Sequence, residues 1–208
     1  MHTMKIKLLK TATLAALAIA ALPAMANSLT YQGVTFTTTV LGPNTLQLDI
    51  LGALTATGDW GSPKPIKYIS AFEIGQIPAG QNLTGASVLS GPGSFGAVVG
   101  GLSAGGCAAG TPSKNACFSN SSSPLVLTNN MSWQLQFTSA LPLDFTKPHL
   151  KVEFLDKDEK KRGTLLSEYV AAVPEPETYA MLLAGLGVLG TIARRRSRGA
   201  GSALGTPA

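Results

Sequence analysis

The sequence has 208 residues, of which 45% are hydrophobic and only 13% are charged; this composition suits one turn-rich β domain and excludes a charged helical bundle. The formal net charge is +5, but seven of the 16 basic residues lie within residues 1–10 and 194–198. The segment 27–173 carries nine basic and nine acidic residues, so the sequence lacks the basic surface that nucleic-acid binding requires.

Residues 1–26 have the three parts of a secretory signal peptide. Three lysines precede an apolar run at residues 11–22, and Ala24 and Ala26 are the small residues that signal peptidase reads. The run is shorter than the roughly 20 residues that a membrane-spanning helix needs. We therefore predict passage through the export machinery, cleavage between Ala26 and Asn27, and an oxidising compartment for the mature chain.

The segment 27–173 alternates apolar and polar residues with the period of two that half-buried strands require. Phe72 and Ile74, for example, are expected to face a core, with Glu73 on the opposite face. Turn residues bound each such stretch, and no helical pattern separates the stretches. We predict an antiparallel sandwich or jelly roll of about eight strands, at residues 29–40, 46–50, 66–74, 83–90, 124–128, 133–137, 151–154 and 164–171.

Residues 91–123 are richer in glycine and serine and show little alternation, which predicts long loops around one or two weak strands. Both cysteines, Cys107 and Cys117, lie in this region and enclose nine residues. In an exported protein, a disulfide closing this loop would contribute about 2–3 kcal/mol of stability. Because two cysteines without a nearby histidine cannot complete a tetrahedral zinc site, we predict a disulfide and no metal site.

One short pattern resembles a catalytic site. Gly101, Ser103 and Gly105 fit the G-x-S-x-G nucleophile elbow, which requires a helix after the serine and a histidine partner. The neighbouring glycines discourage that helix. His149, the one histidine beyond residue 26, follows a proline at a strand start and is expected to be a solvated edge residue. The sequence therefore predicts no catalytic residue and no cofactor.

The acidic residues Asp156, Asp158 and Glu159 offer oxygen ligands of the kind that calcium prefers. Four basic neighbours would repel a divalent cation, however, so a plain hairpin turn is the favoured interpretation. An exported hydrolase that uses Ser103, or Asp156 together with Glu159, is the weakest functional hypothesis.

Trp60 lies in a glycine-bounded segment and carries the alternative hypothesis of a carbohydrate-binding, lectin-like module. An exposed indole can stack on a sugar ring, and Tyr68 would be a second stacking surface. A tryptophan in such a segment also commonly folds back into the core, and both interpretations are open at the level of sequence.

The C-terminal part of the chain combines a proline strip, an apolar run and an arginine cluster. Pro174 and Pro176 flank Glu175, lack backbone donors and favour an extended strip that a processing enzyme can read. The apolar residues 178–193 predict one transmembrane helix of about 24 Å. The positive-inside rule places the β domain outside the cytoplasm, because the helix is followed by Arg194, Arg195, Arg196 and Arg198.

Residues 173–198, which contain Pro174-Glu175-Pro176, the apolar run and the arginine cluster, resemble the PEP-CTERM sorting domain. The resemblance implies recognition by an exosortase, a membrane enzyme that cuts near the Pro-Glu-Pro strip and passes the protein to the surface. It also implies a place in the exopolysaccharide-rich matrix of a biofilm or floc. It covers only the tail, because unrelated exported domains share this segment. An uncleaved single-pass anchor is the alternative.

These features predict a signal peptide at 1–26, an exported β domain at 27–173, a sorting segment at 174–198 and a disordered cytoplasmic tail at 199–208. The favoured function is that of a non-enzymatic cell-surface or extracellular-matrix protein. Its expected partners are the export machinery, signal peptidase, an exosortase-like membrane enzyme and exopolysaccharide. The inner membrane would hold the protein before its transfer to the surface.

Overall fold

The structure, a computed structural model, describes residues 26–77, 82–110, 113–120, 123–163, 166–172 and 183–187. The described residues form thirteen strands and two 3₁₀ turns, Ala53–Thr55 and Gly58–Trp60, and residues 183–187 are helical. The strands are β1 (Ala26–Tyr31), β2 (Val34–Gly42), β3 (Thr45–Leu51), β4 (Tyr68–Gly75), β5 (Gly85–Ser90), β6 (Gly96–Ser103), β7 (Gly106–Ala109), β8 (Asn115–Ser119), β9 (Leu125–Val126), β10 (Asn130–Thr138), β11 (His149–Leu155), β12 (Leu166–Tyr169) and β13 (Ala171–Ala172).

The strands build two sheets in which every pairing is antiparallel. Sheet A has six strands in the order β13-β1-β2-β3-β10-β5. Sheet B has seven, in the order β12-β11-β4-β8-β6-β7, with β9 paired to β4. Buried side chains of both sheets form one hydrophobic cluster between them, so the predicted antiparallel sandwich is confirmed.

Aromatic rings fill the space between the two sheets. Phe72 of sheet B lies 5.2 Å from Trp133 of sheet A, measured between ring centroids, and stacks on Phe118 of its own sheet. A second cross-sheet pair joins Phe36 to Phe154 at 6.4 Å. Such pairs add about 0.5–1.5 kcal/mol each beyond the area that they bury, so the aromatic residues dominate the packing of the core.

The central strands lie where the period-two alternation of the sequence predicts them. In β3, Leu46, Leu48 and Ile50 are buried, while Gln47 and Asp49 are only partly covered. The prediction of a single strand at residues 29–40 is wrong, because a tight turn divides it into β1 and β2. Gln32 and Gly33 form that turn with φ angles of 47° and 79°.

The prediction for residues 91–123 is also wrong in part, because three strands, β6, β7 and β8, occupy most of this region. Glycines at the bend of β6 weaken the sequence signal. Residues 96–99 of β6 pair with β8, whereas residues 100–103 pair with β7. The β6–β7 hairpin thus folds over from the end of sheet B and lies against the outer face of β4 and β8, where Leu102 packs on Ala71 and Cys117.

As a result, β4 is buried on both of its faces. Every residue from Ile69 to Gly75 is buried, although the alternation predicted a half-buried strand. Glu73 points away from the core, as predicted, but the β6–β7 hairpin covers it and its exposure is 0%. The hairpin is therefore a second layer that shields the polar face of the strand.

The two predicted membrane-directed ends fall largely outside the described residues. The residues outside the description include residues 1–25 of the predicted signal peptide, most of the predicted transmembrane helix at 178–193, and the tail at 199–208. Within the part of the chain that the structure describes, no helix has both the length and the apolar character needed to cross a membrane.

We expect Gly100→Ala to destabilise the protein, because Gly100 has a φ of 153° and an added Cβ would lie 2.0 Å from the carbonyl oxygen of Ala108. The change should separate β7 from β6 and lower the free energy of unfolding by about 1–3 kcal/mol. Thermal unfolding measures this loss.

Gly105→Ala is the matched control in the same hairpin. Its added Cβ would meet only the Ser103 hydroxyl, at 3.7 Å, which is ordinary contact. Equal melting temperatures for the two variants would contradict the described bend.

Candidate functional site

The two ends of the β domain meet at one corner of sheet A. β1 pairs with β2 on one side and with β13 on the other, and Asn27 lies opposite both Thr38 and Ala172. Because β1 and β13 are antiparallel, the first residues of β1 and the last residues of β13 lie side by side. This corner is the point at which the predicted signal peptide and the predicted sorting segment join the domain.

Asn27, the predicted first residue of the mature chain, is 0% exposed. Its side-chain amide donates a hydrogen bond to the carbonyl oxygen of Phe145 at 2.8 Å and a longer one to the Thr38 hydroxyl at 3.4 Å. Among the described residues, Asn27 Oδ1 has no hydrogen-bond partner. Asn27 therefore ties the start of β1 to the segment before β11.

The sorting-motif residues Pro174, Glu175 and Pro176 and the four arginines of the cluster lie outside the described residues. The last described strand before them in sequence is β13, which ends at Ala172, paired with Asn27.

A second polar site lies beneath the β6–β7 hairpin, on the outer face of sheet B. Lys151 Nζ is 3.2 Å from Glu73 Oε2 and 3.3 Å from the carbonyl oxygen of Leu102. The Leu102 N–H also donates to Glu73 Oε2, and Glu73 Oε1 has no partner among the described residues. The Glu73 side chain is 0% exposed and that of Lys151 is 23% exposed, so Lys151 is the cation that compensates a buried carboxylate.

The disulfide between Cys107 and Cys117 that the sequence predicts is present and lies beside this site. It links β7 to β8 with a Cα–Cα distance of 5.6 Å. Cys117 is buried, and the bond lies beside Leu102 and Ala71 under the hairpin. The disulfide therefore holds the hairpin over Glu73.

A neighbouring carboxylate on the same face has a similar arrangement. Glu153 is buried, accepts a hydrogen bond from the Ser70 hydroxyl at 2.8 Å and forms an ion pair with Lys161. Lys161 also donates to the carbonyl oxygen of Ala104 in the turn of the β6–β7 hairpin. The hairpin is thus fixed by a lysine contact at its turn as well as by Lys151.

His149 is half-buried and lies on β11 between β4 and β12, so the expectation of a solvated edge residue is wrong as to the edge position. Its Nε2 is 3.2 Å from the Ser167 hydroxyl, a serine–histidine pair that the sequence analysis missed because the pair forms only across β11 and β12. The pKa of His149 is lowered, mainly by burial of the ring. The charge of Lys151 also acts to lower this pKa, whereas the charges of Glu73 and Glu168 act to raise it. Within the described part of the chain, no carboxylate hydrogen-bonds to the ring, so the pair lacks a group that would orient the base.

Trp60 does not present a stacking surface. Its indole is 1% exposed and packs between Tyr31, Phe36 and Phe154, with ring centroids 4.9–6.1 Å away. Because the ring lies in the core, the hypothesis that it stacks on a sugar is wrong. Tyr68 is half-buried, and the Lys67 ammonium lies 5.5 Å from the centre of its ring.

The nucleophile-elbow pattern lies in a strand and a turn. Ser103 ends β6, its hydroxyl donates to the carbonyl oxygen of Gly106 and accepts from the Gly105 N–H, and strand β7 follows it rather than a helix. A G-x-S-x-G site needs the helix that is missing from this position.

The acidic residues near 156 form a hairpin turn. Asp156 is buried and accepts hydrogen bonds from the N–H groups of Asp158 and Lys160. Burial acts to raise the pKa of Asp156, but these two donors and the charges of Arg162 and Lys64 lower it overall. Among the described residues, no group of three His, Cys, Asp or Glu side chains is placed to hold a metal ion.

Comparison with protein families identifies the C-terminal segment. Residues 172–197 match the family model of the PEP-CTERM protein-sorting motif, so the predicted resemblance is confirmed and the matched segment begins at the last residue of β13. The motif supports export, membrane anchoring through the C-terminus and processing by an exosortase. Searches of curated proteins and of solved structures give no match to the chain.

We expect Lys151→Met to destabilise the protein at neutral pH, because it leaves the buried Glu73 carboxylate without its cation. The free energy of unfolding should fall by an amount near the lower end of about 3–5 kcal/mol, because Lys151 retains some contact with water. Denaturant unfolding measures it, and adding Glu73→Gln to the variant should restore most of the lost stability.

Lys157→Met removes a similar ion pair at the surface and is the control. Lys157 and Asp158 are 2.8 Å apart, with side chains 75% and 47% exposed, so this variant should stay close to wild-type stability. If both lysine variants lost the same stability, the ion pair beneath the hairpin would not have the role described.

Proposed function

We propose that the protein is an exported, non-enzymatic component of the cell surface or of an exopolysaccharide-rich extracellular matrix, delivered there through its C-terminal sorting segment. The observation that carries the proposal is the sorting motif at residues 172–197, which begins where the last strand of the β domain ends. A neutral, disulfide-closed β domain suits the oxidising space outside the cytoplasm.

Each part of the sorting segment has a physical task. Pro174 and Pro176 lack backbone donors, so the strip cannot continue the β13 ladder and remains available to a processing enzyme. The apolar residues 178–193 hold the precursor in the inner membrane, and the arginine cluster stops the helix at the cytoplasmic side. The domain then faces outward, and the exosortase cuts between it and the membrane.

Two observations favour a non-enzymatic role for the domain. The Ser103 hydroxyl is used by its own turn, and the Ser167–His149 pair has no orienting carboxylate among the described residues. The buried carboxylates Glu73 and Glu153 are each matched by a lysine that also fastens the hairpin. Polysaccharide or ester turnover by the purified protein that was lost in Ser167→Ala would overturn this reading.

The lectin-like alternative loses its main candidate, because Trp60 is in the core. Tyr68 is the aromatic residue left to that hypothesis. Sugar binding on a glycan array that was lost in Tyr68→Ala and kept in Trp60→Phe would restore it.

We expect replacement of Pro174, Glu175 and Pro176 by alanine to leave an untrimmed, membrane-held protein in cells that contain an exosortase. The change removes the donor-free strip and allows the helix to extend toward the domain. Immunoblotting of membrane and surface fractions, with terminal peptide mapping, measures the outcome.

Leu182→Ile is the control, since it preserves the apolar character of the predicted helix and should sort normally. An alanine variant that reached the surface trimmed like the wild type would refute processing through this motif. A plain single-pass anchor or another protease would then replace it.

A further inference from the structure

We propose that signal peptidase acts on this chain only before β1 pairs, so that sheet A closes on a chain whose signal peptide has already been removed. The inference rests on the export that the proposed function requires and on the signal-peptide cut that the sequence predicts between Ala26 and Asn27. It concerns the order of the maturation steps. Because the Ala26–Asn27 bond lies in β1 of the folded domain, the cut has to come before this strand pairs.

In the folded domain, both residues of this bond belong to a strand. Ala26 pairs with Thr39, and Asn27 pairs with Thr38 on one side and Ala172 on the other. A protease that binds its substrate as an extended strand needs the backbone N–H and C=O groups that these pairings use. The ladder therefore occupies the groups that signal peptidase must bind.

The side chain of Asn27 adds a second obstacle. It is 0% exposed and donates a hydrogen bond to the carbonyl oxygen of Phe145 at 2.8 Å. Exposing the bond requires Ala26 and Asn27 to leave their pairings with Thr39, Thr38 and Ala172. Cleavage of the folded precursor is thus limited by the local opening of the start of β1.

Removal of the signal peptide also removes Ala26, the residue that would lie opposite residue 173 if the antiparallel register of Asn27 and Ala172 continued. The cut therefore leaves Asn27 and Ala172 as the last pair of this ladder.

The experiment compares full-length precursors of residues 1–208 in detergent micelles with purified bacterial signal peptidase. The wild-type precursor is folded and disulfide-bonded beforehand, as reported by the emission of the buried Trp60 and Trp133. Trp133→Asp provides an unfolded precursor with an intact cleavage site, because it places a carboxylate at a core position that is 0% exposed. The folded wild type should be cut at least about tenfold more slowly than Trp133→Asp.

Two insertions of the same flexible sequence, about six glycine and serine residues long, complete the test. Inserted between Ala26 and Asn27, the linker moves the cleavage site out of the sheet, and the folded precursor should be cut as fast as the unfolded one. Inserted between Pro43 and Asn44, in the exposed β2–β3 turn, it should leave cutting slow.

Equal cutting of folded wild type and Trp133→Asp would overturn the proposal, as would slow cutting of the folded precursor with the linker after Ala26. A cut in Trp133→Asp mapped away from the Ala26–Asn27 bond would also overturn it, by removing the premise about the site. The assay contains no exosortase and leaves the Pro-Glu-Pro strip intact, so its failure is distinguishable from a failure of C-terminal sorting.

Discussion

The backbone ladder at Asn27 is the constraint that joins the two ends of this protein. β1 is held between β2 and β13, so the start and the end of the β domain lie next to each other at one corner of sheet A. Both predicted membrane segments therefore attach to the same corner. The sorting motif begins at the sheet edge, at the last residue of β13, rather than after a long linker.

The second constraint is the hairpin that covers the outer face of sheet B. It buries Glu73, which Lys151 compensates, and the Cys107–Cys117 disulfide keeps the hairpin in place. Because such a bond persists in an oxidising compartment, the domain is best stabilised after the export that its sorting motif implies. Export and fold are thus coupled through one covalent bond, in a domain whose two sheets pack through a shared core of aliphatic and aromatic side chains.

Much of this arrangement could be predicted from the sequence. The sandwich followed from alternation around Leu48 and Trp133, the disulfide from export and two cysteines, and the sorting motif from the order of prolines, apolar residues and arginines. The hairpin could not be predicted, because Gly100 and its neighbours erase alternation where the strand changes partners. The pairing of Asn27 with Ala172 and the side-chain contact of His149 with Ser167 depend on strand register, which no local pattern contains.

The central claim is that one protein is processed at both ends around a closed β domain, and intact-mass spectrometry of the surface fraction tests it most directly. We predict a chain that begins at Asn27, ends within residues 175–178 and has a mass lower by two hydrogens for its disulfide. Recovery of a surface form that retains residues 1–26, extends through the arginine cluster, or carries two free thiols would contradict the account.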